Sequence, residues 1–186
     1  MADKENLILT AVGPDKVGLV ETISEFIFKH GCNIEDSKMA VFCGEFALIL
    51  LISGDGRALQ NVAQGYHELE DLTGLSLSVK IPSQRKPVEA SLPYKLSASC
   101  MDHPGVVYRL SGILSRLGIN IESMETKTYA APVTGTPIFR LEAEISVPAK
   151  LKIDTLRESL NEFAREENIE LSLAAITHEA PPGAAG

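Results

Sequence analysis

Tryptophan is absent from this chain, aromatic residues make up only 5% of it, and cysteine occurs three times. Each scarcity removes a class of protein. Cys32, Cys43 and Cys100 have neither a C-x-x-C arrangement nor any other zinc-like spacing, so no metal is expected and buried free thiols in a reducing cytoplasm are the default. The longest apolar run, Phe46 to Ile52, is too short to cross a bilayer, and the charged start "MADKENLILTAVG" lacks a signal-peptide layout. A cytoplasmic protein that does not enter membranes is the expectation. Positive charge is also short. The formal net charge is −8, and affinity for a phosphate backbone comes mainly from Lys and Arg displacing counterions. Residues 1–81 carry six basic and twelve acidic side chains, and residues 94–178 nine and eleven. Direct nucleic-acid binding is therefore not expected of either half.

Nucleotide loops are missing as well. "GPDKVGLVETISEFIFKHGCNIEDS" places glycines before an apolar-periodic helix, which suits an anion. However, Gly18 precedes Leu19 and Val20, not the Lys and Ser/Thr of a P-loop, and Gly13 and Gly18 miss the G-x-G-x-x-G register. No cofactor is expected.

What is present is a repeat. The opening segment returns as "MDHPGVVYRLSGILSRLGINIESM", with Asp15 matching Asp102, Gly18 matching Gly105 and Gly31 matching Gly118 at one offset of 87 residues. Asn33-Ile34-Glu35 matches Asn120-Ile121-Glu122 without a gap, and "YAAPVTGTP" lengthens a later connection in the second copy. Residues 1–81 read as the first module, 82–93 ("PSQRKPVEASLP") as a semi-extended proline-rich linker, 94–178 as the second module and 179–186 as a disordered tail.

Each copy gives the order β-α-β-β-α-β. A short strand "NLILTAV" leads to a helix from about Lys16 to His30, with Val20, Ile23 and Ile27 on one stripe. Gly31 stands where a left-handed residue would end that helix. Two strands meet at Cys43-Gly44, and "FALILLI" reads as a central buried strand. A second helix carries Leu59, Val62, Tyr66 and Leu69, and "LSLSVKI" closes the unit. The second copy repeats this with Val107, Leu110 and Leu114, then Ile153, Leu156, Leu160 and Phe163. The expected class is α+β: two ferredoxin-like modules, each a four-stranded antiparallel sheet with two helices on one face, packed as a pseudo-dimer. Self-association of the whole chain as a homodimer is also expected.

A strand, then Asp-x-x-Gly opening a helix, then Gly-x-Asn-Ile at the next strand, resembles the ACT domain, a ligand-sensing module. "GPDKVGLVETISEFIFKHGCNIEDSKMAVFCGEFALILLISG" is similar to the first half of the glycine cleavage system transcriptional repressor family, whose members are tandem ACT proteins of about this size. One departure is Val17, where many relatives carry the proline that the second copy has at Pro104; it should alter loop stiffness. The resemblance implies amino-acid sensing and contact with a DNA-binding transcription regulator. It also implies an effector site where modules meet, between the first-helix loop and the start of the second strand. Carried onto this sequence, those residues are Asp15, Lys16, Gly18, Asn33 and Ile34, with Asp102, His103, Gly105, Asn120 and Ile121 as counterparts.

The chemistry suits a zwitterion. Free N–H groups at a helix start can hold a carboxylate, and Gly18 lets a ligand approach that backbone. Asp15 can accept from an ammonium, and Asn33 has both a donor and an acceptor. The same residues have structural readings. Asp15 and Asp102 suit helix N-caps, Gly18 and Gly105 close helix packing, and Asn33 and Asn120 turn geometry. His103 is either a ligand donor or an exposed loop histidine. Glu35 and Asp36, as adjacent strand residues, should point to opposite faces and so share no catalytic role. With no nucleophile–base pair, no catalytic residue is expected. An enzyme, an RNA binder and a ligand-free protein scaffold remain the rival readings to a regulatory module.

Overall fold

In the computed structural model, residues 5–82 and 90–176 are described, and they fall into two compact units, one on each side of residues 83–89. The first holds β1 (Glu5–Pro14), α1 (Leu19–Lys29), β2 (Asn33–Phe42), β3 (Glu45–Gly54), α2 (Gly56–Thr73) and β4 (Ser76–Lys80). The second holds β5 (Ser91–Met101), α3 (Val106–Arg116), β6 (Asn120–Ala130), β7 (Pro137–Pro148), α4 (Ile153–Glu167) and β8 (Glu170–Ala175). The sheets run in the orders β2-β3-β1-β4 and β6-β7-β5-β8, with every pairing antiparallel. Both modules are therefore the expected ferredoxin-like βαββαβ unit.

Burial explains why these segments fold as they do. Along β3, Phe46, Leu48, Leu50 and Ile52 are buried and meet the buried Leu7, Leu9 and Ala11 of β1. Onto that face α1 places Leu19, Ile23, Phe26 and Ile27, and α2 places Leu59, Val62 and Leu69. The second core repeats the scheme, with Val106, Leu110, Ile113 and Leu114 from α3 and Leu156, Leu160 and Phe163 from α4. Local signals set the ends. Cys43 and Gly44 both adopt positive φ, 52° and 86°, as the tight hairpin between β2 and β3 demands. Gly31, at φ 75°, lies just past α1 as expected.

Several expectations needed correction. The first helix starts at Leu19, not Lys16, because Gly18 takes a left-handed conformation that no helix continues through. The buried stripe therefore runs through Leu19 and not Val20, which is 51% exposed, and α3 likewise buries Val106 while Val107 faces outward. "FALILLI" is central in its sheet but buried on one side only, since both helices pack on the same face and Ile49 stays 45% exposed. Cys43 is exposed and Cys32 half-buried, so of the three free thiols only Cys100 is buried. Strand β5 takes up the last residues assigned to the linker. Pro93, near its start, pairs with Ser146 of β7, and its carbonyl accepts from the Ile176 N–H at 3.0 Å. The rest of the proline-rich stretch, at 83–89, and the tail at 179–186 lie outside the described residues.

The corrected register is testable by urea unfolding. Ile23→Ala and Leu110→Ala each remove a fully buried side chain and should cost about 2–5 kcal/mol. Val20→Ala should stay within about 0.5 kcal/mol of wild type. Equal losses at Ile23 and Val20 would contradict this packing.

Candidate functional site

The ten candidate residues occupy two kinds of corner. The first is the turn between β1 and α1, and between β5 and α3. There the Asp15 N–H donates to the Gly44 carbonyl at 2.8 Å and the Asp102 N–H to the Pro137 carbonyl at 2.9 Å, which ties each turn to the neighbouring hairpin. The helices then begin without a side-chain cap. Gly18 (φ 94°) and Gly105 (φ 101°) are the N-cap residues, and among the described residues no side chain caps the first-turn N–H groups. The capping reading of Asp15 and Asp102 is thereby overturned: both stand three residues too early and are exposed. Asp55 does cap, accepting from the Ala58 N–H at 2.7 Å.

The packing reading of Gly18 and Gly105 also fails. A Cβ at either position would meet nothing within 4 Å, so the glycine is required by its positive φ and not by close neighbours. These corners therefore present uncapped N–H groups and the positive end of a helix dipole to open space.

Lys16 and His103 each reach the end of their module's second helix. A Cβ on Gly74, the C-cap of α2, would lie 3.5 Å from the Lys16 Nζ, so the ammonium sits at the negative helix end. His103 Nε2 lies 3.6 Å from a Glu167 carboxylate oxygen at the end of α4, and the residue is half-buried, not a freely exposed loop histidine. The same glutamate pairs with Arg109, whose guanidinium also stacks 5.5 Å from the Phe163 ring centroid.

The second corner is the start of β2 and of β6. A β-bulge interrupts pairing between Ile34 and Asp36, and another between Ile121 and Ser123. The extra residues are Glu35 and Glu122. Asn33 Nδ2 donates to a Glu35 oxygen at 3.1 Å, and the buried Ser53 hydroxyl donates to the same oxygen. In the second module Asn120 Nδ2 and the Ser146 hydroxyl each donate to Glu122 at 2.8 Å. The asparagine amides thus serve as latches across the bulge. Glu35, Ser53, Glu122 and Ser146 went unrecognised as members of these latches, although the repeated Asn-Ile-Glu carried the signal. The bulge also defeats strict alternation: Glu35, bonded to Ser53, and Asp36, opposite Leu51, lie on one face. Ile34 and Ile121 pack against their cores. Beside Asn120 and Ile121 an open groove runs along α3, lined by Tyr108, Ser111 and Gly112. At the 87-residue offset the first module carries Glu21, Ser24 and Glu25 at those three positions.

Within one module the two corners do not meet. They lie at opposite ends of α1, which spans 11 residues or roughly 16 Å. Along the sheet, Asn33 stands level with Ser53 and Asn6, eight residues or roughly 26 Å from Pro14. Asp15, Lys16 and Gly18 are brought together, as are Asn33 and Ile34, but the groups stay apart; the second module repeats this division.

Profiles of the ACT domain match residues 5–80 and, separately, residues 94–151. The chain belongs to the ACT-domain family. It carries two ACT domains in tandem, each a complete βαββαβ module. Over 182 residues it is 24% identical to the glycine cleavage system transcriptional repressor of Escherichia coli (strain K12), covering 96% of this chain and 94% of that one. A crystal structure of an unknown protein from Galdieria sulphuraria aligns with a TM-score of 0.79 at 27% identity, covering 94% of this chain and all of the other. A candidate glycine cleavage system transcriptional repressor of known structure aligns at 0.69 and 22% identity, covering 95% of this chain and all of that one, which speaks for the fold. Among the described residues no group of three or more His, Cys, Asp or Glu side chains could hold a metal ion, and no helix is long and apolar enough to cross a membrane.

Three results should follow from this geometry. Gly18→Ala and Gly105→Ala should each cost about 1–2 kcal/mol in chemical denaturation, from backbone strain alone. Asp15→Ala should be near neutral, while Asp55→Ala loses about 0.5–2 kcal/mol with its cap. Thiol alkylation followed by mass spectrometry should label Cys43 first. Burial raises the pKa of Cys32 and of Cys100, and nearby Asp55 and Asp102 raise them further. Their reactive thiolates are thus scarcer.

Proposed function

We propose that this tandem ACT protein is a non-enzymatic regulator. It binds a small amino acid, glycine or a close analogue, and through protein–protein contact modulates a transcription regulator of glycine cleavage. The observation that carries this reading is the duplicated uncapped helix start at Gly18 and Gly105. Left-handed glycines leave first-turn N–H groups without a side-chain partner, and a carboxylate satisfies such groups better than water does. Asp15 and Asp102, exposed one residue before Lys16 and His103, can accept from the ammonium of the same ligand. Similarity to a named repressor over nearly the full length of both chains supports the regulatory half of the proposal. The acidic charge supports action through a partner that itself contacts DNA, in a cytoplasmic setting. Phe46, the aromatic that could have stacked a base, is 1% exposed, which argues against RNA binding.

One ligand cannot span both corners of a module, so the helix start with its aspartate is the site proposed here. A ligand that favours one conformation of the protein shifts the population that the partner reads. Self-association of the whole chain as a homodimer belongs to the same reading.

A ligand-free ACT scaffold is the second reading, and a specific observation favours it: the asparagine amides already donate to Glu35 and Glu122.

Thermal shift separates the two. At a hundred times Kd, glycine or serine should stabilise by about 2.7 kcal/mol, raising Tm by roughly 5–11 °C. The double variant Asp15→Asn, Asp102→Asn should keep the basal Tm and lose the shift. A flat response across a panel of small amino acids would leave the scaffold.

A further inference from the structure

We infer that the helix-free face of the first module's sheet is a self-association surface whose occupant is the same face of a second copy. The helices cover one side of each sheet, and the cross-strand register defines what the other side presents. In the first module three central rows lie between Asn33, Ser53 and Asn6 at one end and Phe42, Glu45 and Pro14 at the other. Asp36, Leu51, Ile8 and Lys80 stand level across β2, β3, β1 and β4; below them come Lys38, Ile49, Thr10 and Ser78, then Ala40, Ala47, Val12 and Ser76. The middle of this face is apolar and open to solvent, with Ile49 45% and Val12 53% exposed. Contiguous apolar surface of this kind, rimmed by polar groups, marks an interaction site.

The charges identify the occupant. The top row has a carboxylate at one edge and an ammonium at the other. A two-fold axis running along the strands between two stacked sheets carries β2 of one copy over β4 of the next. Asp36 then faces Lys80 of the second copy, and Lys80 faces its Asp36, while Leu51 meets Ile8 and Ala47 meets Val12. Lys38 meets Ser78, so no like charges oppose. An axis across the strands would instead set Lys38 against its own image. The first arrangement is isologous and closed, the commonest form of homodimer, and face-to-face sheets pack about 10 Å apart with strand directions within about 30° of each other.

The second module's corresponding face is unsuited to this. Its rows contain Lys95 with Glu144, Glu125 with Glu142, and Lys127 with Arg140. Glu142 pairs with Lys95 at 3.0 Å and with Arg140 at 2.5 Å. Stripping water from those ion pairs would be costly. Of the two helix-free faces, one is thus wet and the other dry enough to bury.

This inference specifies the dimer named above and does not require amino-acid binding, so separate readouts keep the two apart. Light scattering on the full chain should give twice the 20.1 kDa chain mass at micromolar concentration. Ile49→Lys should yield monomers. Asp36→Lys should weaken the dimer at least about tenfold, and the double variant Asp36→Lys, Lys80→Asp should restore it. Ser97→Lys, at the place on the second module's face that Thr10 holds on the first, should change nothing. Circular dichroism checks that each variant is folded, and the charge reversal tests the interface even if Ile49→Lys is not. A monomeric wild type, a dimer indifferent to the folded Ile49→Lys variant, or a charge reversal that fails to restore association would overturn the inference. Failure of amino-acid binding would show in Tm and leave the mass unchanged.

Discussion

Both modules depend on burial that is confined to one side of a sheet. Four antiparallel strands alternate inward and outward residues, and the two helices of each module cover only the inward set. Phe46, Leu50 and Ile52 on β3, against Ile23 and Ile27 on α1, supply the dry contact of the first module, as Leu141 and Ile145 against Leu110 and Leu114 do in the second. Everything of functional interest lies where that contact stops. The strand-to-helix corners are exposed because the chain must reverse there, and the helix-free faces because nothing in their own module covers them.

The corners show how backbone geometry can present chemistry without a dedicated side chain. The turns from β1 into α1 and from β5 into α3 take a left-handed step, which glycine adopts without strain, whereas β3 enters α2 through the extended Asp55. That same step occupies the place of a capping serine or aspartate, so the helix begins with its N–H groups unclaimed. The requirement of the turn and the capacity to hold an anion therefore have one cause. At the opposite end of the helix the bulge has the reverse effect: Glu35 and Glu122 take up the amides of Asn33 and Asn120 and leave them less free for a ligand.

Duplication preserved the first constraint and relaxed the others. Gly18 and Gly105 agree to within 7° in φ, and both modules keep the Asn–Glu–Ser latch. The loop residue differs, Lys16 in one module and His103 in the other, yet it reaches the end of the second helix in both. On the helix-free faces no packing requirement acts within the module, and there the two copies differ, one apolar and the other charged.

The sequence by itself determined the repeat, the element order and the two cores, because hydrophobic periodicity and turn residues are local properties and both modules bury what their patterns say. It also determined Gly31 and the Cys43-Gly44 hairpin, where positive φ leaves a compositional mark. Tertiary structure decided the rest. Whether Leu19 or Val20 faces the core depends on where the helix starts, and that was set by a left-handed residue whose φ the spelling Asp-x-x-Gly does not state. Separating Asp15 from Asn33 took an intervening helix, since residues close in a motif lie a helix length apart once it forms. The charge rows across a sheet exist only in the strand register, which joins residues as distant in sequence as Asp36, Leu51, Ile8 and Lys80.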